Sequence, residues 1–412
     1  MTNTSKPAHP IIFLFLALPS GIMQGYLTVT LAFVYSKAGI SVEQVAALIG
    51  LSLVPNIFKF VWAPLVDTTL TVKKWFLLTN VITSAGLLCM GILKVSPANI
   101  PLIGIIIFTT FFAGTFVVLC TSSFMAYDTS PKTIGRAGGY FNVGNIGGIG
   151  LGGGAGLWMV QRLPADWMVS AILGIACLVC TFALFFVKEP QSYIRVKKVT
   201  TTMVNLFKDI WTTIKAKSGV LALFLAFMPL CTGAAGTLFA AMAKDWNASA
   251  DTVAIITGVL GGIVTSLGCL LGGWICDAID RQLAYILFGA SQGVCAIGMA
   301  YCPHTQLFYI IWTVIYSIVN GLAYAGFTAF VLEVIGKGAA STKYNLYAGL
   351  SNTPIYFLTI IEGWANTRFG SRGILNGEAL SAICAIILFL LFKKMLRIKP
   401  IETEQVQIPT SV

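Results

Sequence analysis

The sequence predicts an all-α polytopic membrane protein, with twelve transmembrane helices in two six-helix pseudo-symmetric bundles. Three observations carry this. Of 412 residues, 57% are hydrophobic and only 10% charged, and mean hydropathy is +0.85. No soluble fold hides that much apolar surface. Twelve apolar stretches, each near the roughly 20 residues that cross a hydrocarbon core, fall six and six around a basic polar segment. Acidic landmarks of the first half then recur in the second at nearly one offset.

The spans read as 11–36, 41–66, 75–94, 100–127, 137–160, 167–187, 219–243, 252–276, 283–302, 307–332, 344–367 and 375–396. They divide the chain into an N-terminal bundle (1–188), a basic linker (189–218) and a C-terminal bundle with a short tail (219–412). The first stretch runs past a signal-peptide core and reads as a retained helix. With both termini on one side, that side holds nineteen Lys and Arg against six on the other. The positive-inside rule makes the nineteen cytoplasmic, so the expected location is a cytoplasmic (inner) membrane, multi-pass, with both termini inside. The net charge of +11 follows from this bias and from anionic headgroups. A nucleic-acid partner is not expected; the lipid bilayer is.

All ten cysteines lie within or at the edges of spans. Cys177 and Cys180 form a CxxC inside the sixth span, where thiolates have no polar support, so they read as small apolar residues. His9 and His304 are the only histidines. Without a nucleophile–base pair or a metal-ligand cluster, neither an enzyme nor a cofactor is predicted.

Asp67 closes the second span and Asp277 the eighth, 210 positions later; Asp128 and Lys132 end the fourth, and Glu333 and Lys337 the tenth, both 205 later. The offsets point to a duplicated six-helix unit, the architecture of transporters that alternate access around a central site. Asp67 with Lys73 and Lys74, and Asp277 with Arg281, are expected to form a conformational latch. Between Gly135 and Gly156 there are eleven glycines in 22 residues. Glycine costs a helix about 1 kcal/mol relative to alanine in water; in lipid it lets backbones approach. The eighth span carries a matching run from Gly258 to Gly273, so the fifth and eighth spans are expected to cross between the halves.

Polar residues inside spans are functional candidates. Gln24, Tyr26, Asn56, Lys59, Asn142, Asn145, Asn320, Tyr324, Asn352 and Tyr356 are the expected cavity residues. Lys59 reads either as a snorkelling cation or as an attractor for an anionic solute. Glu362 pairs with Arg368, faces water or carries a proton; with Asp128 and Glu333 it completes the proton-coupling candidates. Asn, Gln and Tyr suit a large polar or amphipathic small-molecule solute held by hydrogen bonds and stacking.

These residues carry a family resemblance. The layout resembles the major facilitator superfamily over essentially the whole chain, with Gly273–Asp277 similar to its GxxxD loop motif. Leu18–Gly21, Phe58–Asp67 and Ser341–Trp364 resemble the AmpG-like muropeptide permeases and the acetyl-coenzyme A transporters. Departures are Thr68 where relatives commonly have Arg, Phe141 and Asn142 after Gly139-Tyr140, and the reduced acidic stretch at Tyr127-Asp128. The resemblance implies a permease, acting as a monomer, that imports a large solute by alternating access with protons as the coupling ion. Muropeptides are the first expectation and siderophores the alternative. A non-transporting membrane sensor on the same fold is the alternative from another class.

Overall fold

A computed structural model describes residues 7–93, 96–190 and 199–395. Linker residues 191–198, the tail from 396, and Lys6, Lys94, Arg195, Lys197, Lys198, Arg397 and Lys399 of the charge count lie outside the described residues.

The described residues form twelve helical rods, antiparallel in sequence order. In the first half they are Ile12–Lys37, Val42–Thr68, Val72–Ile92, Ile100–Asp128, residues 134–160 and Asp166–Phe186. In the second, the seventh span is split into Lys217–Phe227 and Ala234–Met242, followed by residues 250–278, Arg281–Tyr301, Gln306–Ile335, Ala340–Phe369 and Ser371–Met395. Among the described residues, nine helices are long and apolar enough alone to cross a membrane. The fifth span falls short because glycine adds little hydropathy, the seventh because it is broken, and the eleventh because Ser341, Thr342, Lys343, Asn345, Asn352 and Glu362 stand in it. All three still pack as members of the bundle.

The fifth, eleventh and twelfth spans begin at residues 134, 340 and 371, three to four residues before the apolar reading started them. Hydropathy trims a polar first turn, and here those first turns make the contacts that matter.

Glycine sets the closest crossings. Gly144, Gly148 and Gly152 of the fifth span lie on the backbone of Leu14, Leu18 and Ile22 in the first span. Gly268 and Gly272 of the eighth lie on Ile318 and Leu322 of the tenth. The first and fifth spans each widen into a π-helical turn, at Tyr26–Leu31 and Leu151–Ala155. Such turns leave carbonyls without their helical partners. Thr30 supplies a donor, its Oγ1 reaching the carbonyls of Gly152 at 2.8 Å and Gly153 at 3.0 Å.

The linker forms an amphipathic helix, Val199–Lys215. Its inner face seats Leu206 on Ala339. Asp209 accepts from the Ala339 N–H at 3.0 Å and pairs with the buried Lys343 ammonium at 3.0 Å. Val204, Phe207 and Trp211 project away from the bundle, as on helices that lie along a bilayer interface.

Candidate functional site

The two halves meet at the end of the bundle that carries the linker. There each second-span acid closes the helix start of the other half. Asp67, buried at the end of the second span, accepts from the backbone N–H of Ser341 at 3.3 Å and Thr342 at 2.9 Å, and from the Thr342 hydroxyl at 2.7 Å. Asp277, at the end of the eighth, accepts from Gly135 N–H at 2.7 Å, Arg136 N–H at 3.2 Å and Arg136 Nε at 2.7 Å. A helix N-terminus offers free N–H groups and the positive end of its dipole, so a carboxylate there is well held. The arrangement is reciprocal: second span to eleventh, eighth to fifth.

Asp277 and Arg281 take partners other than those expected of the latch. Beside Asp67, the Val72 and Lys73 amides donate to Glu189 at 2.6 Å and 3.0 Å. The Lys74 amide donates to Thr71 Oγ1. Asp277 takes Arg136, and Arg281 instead pairs with Glu333 at 2.6 Å and donates to the Pro131 carbonyl across the halves at 2.6 Å. The physical reason is geometric. A carboxylate ending one helix, as Asp277 does, meets the exposed amides of a helix start in the facing half before a side chain of its own loop. Asp128 accepts from the Lys188 amide at 2.8 Å, which ties the fourth span to the end of the sixth. Tyr127 and Gly338 add a further cross-half link, the phenol donating to the carbonyl at 2.6 Å and the amide lying 2.8 Å from the phenol oxygen.

Glycines let this end close. A methyl at Gly135 would collide with the Gly273 carbonyl, and one at Gly139 would stand 2.6 Å from the Cys269 carbonyl. About three turns further along the same faces, a methyl at Gly150 or at Gly262 meets nothing within 4 Å. The fifth and eighth spans therefore touch at the linker end and diverge toward the other. The halves enclose a wedge.

Asn142 sits near the apex of the wedge and donates to Thr328 Oγ1 at 3.0 Å and the Tyr324 carbonyl at 3.2 Å, both in the opposite half. Asn145 donates within its own half to Ser20 at 3.0 Å. Tyr324, Asn352 and Tyr356 are exposed, whereas Gln24, Asn56, Lys59 and Asn320 are half-buried. Tyr26 is buried inside the N-terminal bundle beside Gly91 and Ser170, where it borders a cavity of about 400 Å³ shared with Lys37 and Asp166. The structure thus gathers Asn142, Asn320 and Tyr324 around the tenth span and directs Tyr26 elsewhere.

A second polar cluster lies in the C-terminal half, around the break in the seventh span. Residues 228–233 leave the helix, with Cys231 at φ 59° and Gly233 at φ 65°. Asn320 Oδ1 lies 2.7 Å from where a Gly233 Cβ would stand. Glu378 of the twelfth span accepts from Ala235 N–H at 3.2 Å, Tyr316 OH at 3.2 Å and Thr232 Oγ1 at 3.4 Å, and Gln292 Nε2 donates to Tyr316 at 3.1 Å. Glu362 is fully buried beside Glu378, while Arg368 stacks on Trp364 instead. Sequence reading missed Glu378 because it set the twelfth span at 375. The helix begins at Ser371, which puts this acid two turns deep.

The whole fold has solved counterparts. The proton:xylose symporter XylE, solved with 6-bromo-6-deoxy-D-glucose bound, superposes over 93% of this chain and 95% of its own, with a TM-score of 0.65 at 11% identity. No curated protein sequence matches. The family model described as Major Facilitator Superfamily matches residues 13–353. A family of secondary transporters accounts for the duplicated halves, the reciprocal caps and the wedge, and this chain belongs to the major facilitator superfamily.

Proposed function

We propose that the protein imports a large polar or amphipathic solute across a bacterial cytoplasmic membrane by alternating access, with protons as the coupling ion and peptidoglycan fragments as the first candidate cargo. The observation that carries this reading is the wedge, sealed at the linker end by the Asp67 and Asp277 caps and by Gly135 and Gly139. The basic residues make the linker end cytoplasmic, so the wedge opens outward, ready to receive a solute. Asn142, Asn320, Tyr324, Asn352 and Tyr356 would offer amides and rings to it, with Gln24, Asn56 and Lys59 bordering them. The sequence likeness of Ser341–Trp364 to the AmpG-like permeases supports muropeptides. The symporter of like fold supports proton coupling.

Uptake into proteoliposomes tests this directly. Labelled muropeptide and ferric siderophore are offered with and without an inward proton gradient. Gradient-driven accumulation of muropeptide is the expected result, and accumulation of the siderophore alone would replace the cargo. Binding of either without flux would make the protein a sensor.

A further inference from the structure

We propose that Glu362 and Glu378 form a proton-binding pair that holds one proton between two carboxyl groups and governs the second half-helix of the broken seventh span. The inference deepens the transport reading above and rests on it only for its purpose, not for the site itself.

Glu362 is fully buried, and among the described residues no donor reaches either of its oxygens. Its Cγ lies 3.6 Å from where a Cβ on Gly377 would stand, which brings it beside Glu378, a second acceptor. Two carboxylates cannot hydrogen-bond to each other, and two buried like charges oppose each other's ionisation. A single proton shared between them removes both difficulties. The groups facing the pair from the surrounding helices are uncharged: Tyr316 from the tenth span, Cys295 from the ninth and Cys231 from the break in the seventh. Among the described residues no Lys or Arg forms an ion pair with either acid. The donor set is also uneven. Glu378 collects three donors, whereas Glu362 collects none, so the structure leaves Glu362 with nothing to satisfy it except a proton. A metal ion needs several ligands converging from both sides, and among the described residues no group of three His, Cys, Asp or Glu is placed to hold one.

The pair sits at the break in the seventh span. One Glu378 oxygen accepts from Ala235 N–H at the start of the half-helix Ala234–Met242, and the other from Thr232 in the break. A charged Glu378 holds that start through its free amide and its dipole. A proton on Glu362, donated to a Glu378 oxygen, competes with the Thr232 and Ala235 donors and loosens the grip. Discontinuous helices of this kind mark ion and substrate sites in transporters. Both acids lie about two turns, roughly 10 Å, from the end of the bundle remote from the linker. The proton thus enters from the side toward which the wedge opens, and its arrival frees the half-helix to close over the solute.

The test uses infrared difference spectroscopy on the full-length purified protein, following the carbonyl stretch of a protonated carboxylic acid at neutral pH. Wild type should show this band, Glu362→Gln should lose it, and Glu378→Gln should shift its frequency, both keeping the native melting profile. Absence of the band in wild type overturns the inference, as does an unchanged band in Glu362→Gln or an unshifted one in Glu378→Gln. Displacement of the proton by sodium would mark a cation site and overturn it equally. In proteoliposomes, each variant should lose accumulation about ten-fold or more while solute exchange without a gradient stays within about two-fold. Equal loss of both would reduce the acids to structural roles and overturn the coupling. If wild type moves neither cargo yet the band behaves as expected, the transport reading fails and the proton site stands.

Discussion

Asp277 accepts a 2.7 Å hydrogen bond from the Gly135 amide, and this single contact ties the end of one half to the start of a helix in the other. Hydrogen bonds to charged groups contribute about 1.5–3 kcal/mol each. That is enough to bias a two-state equilibrium ten-fold or more. The Asp67–Thr342 contact repeats the device in the opposite direction.

Asp277→Asn keeps the shape of the side chain and removes its charge. The linker end should then open more often, by about ten-fold in population. The measurement is the labelling rate of a cysteine placed at Ser122, buried against Asn345 of the other half, in a background without native cysteines. An unchanged rate would mean that the cap does not hold this conformation.

Two glycine substitutions should act in opposite senses. Gly135→Val forces the fifth and eighth spans apart at the linker end, because a side chain there strikes the Gly273 backbone. Gly150→Leu meets nothing in this conformation but blocks the approach of the same two helices when the halves rock. The first variant should label freely from the linker side. The second should bind solute from the open side with near wild-type affinity and give no flux.

Thr30→Val preserves volume and deletes the donor to the Gly152 and Gly153 carbonyls. Leaving a buried acceptor unsatisfied costs about 1–3 kcal/mol. Thermal unfolding in detergent should show the loss, and Thr30→Ser should restore most of it. Equal stability of the valine and serine variants would mean the carbonyls find other partners.

Asp209→Asn weakens both the Lys343 pair and the cap on Ala339. Breaking a buried pair from one side costs about 3–5 kcal/mol, so the linker helix should detach from the loop between the tenth and eleventh spans. Trypsin cleavage at Lys208 and Lys215 should speed up several-fold, with little effect if Lys343 is changed to Met in the same chain.

Asn352→Ala and Tyr356→Ala test the wall of the wedge. Both side chains are exposed, so their removal should spare stability and raise the KM for uptake about ten-fold for the pair. Unchanged uptake would remove the eleventh span from the solute path.

Much of the fold was legible because lipid leaves few alternatives. Apolar length gave the spans, the offset of Asp67 and Asp277 gave the duplication, and glycine density gave the crossing of the fifth and eighth spans. What escaped lay within three or four residues of a boundary. Ser341, Thr342, Gly135 and Arg136 are polar first turns that hydropathy assigns to loops, so the helix starts that meet Asp67 and Asp277 stayed hidden. Glu378 fell inside the span as read, at its fourth residue, so its depth of two turns stayed hidden. Gln292 and Tyr316 gain meaning only from the break in the seventh span. Its cue in sequence was Pro229 and Gly233 inside an apolar stretch.

The reciprocal caps also bear on how such a chain arises. The second-span acid of each half accepts from a helix start of the other. Two identical six-helix subunits related by a two-fold axis would make this same contact twice, patch for patch. Fusion through a linker then preserves the exchange while freeing the copies to diverge. Here one acid has kept a backbone-and-hydroxyl receptor at Thr342, and the other has recruited the guanidinium of Arg136. An ancestral dimer would thus be written into the gate as a contact that neither half can complete alone.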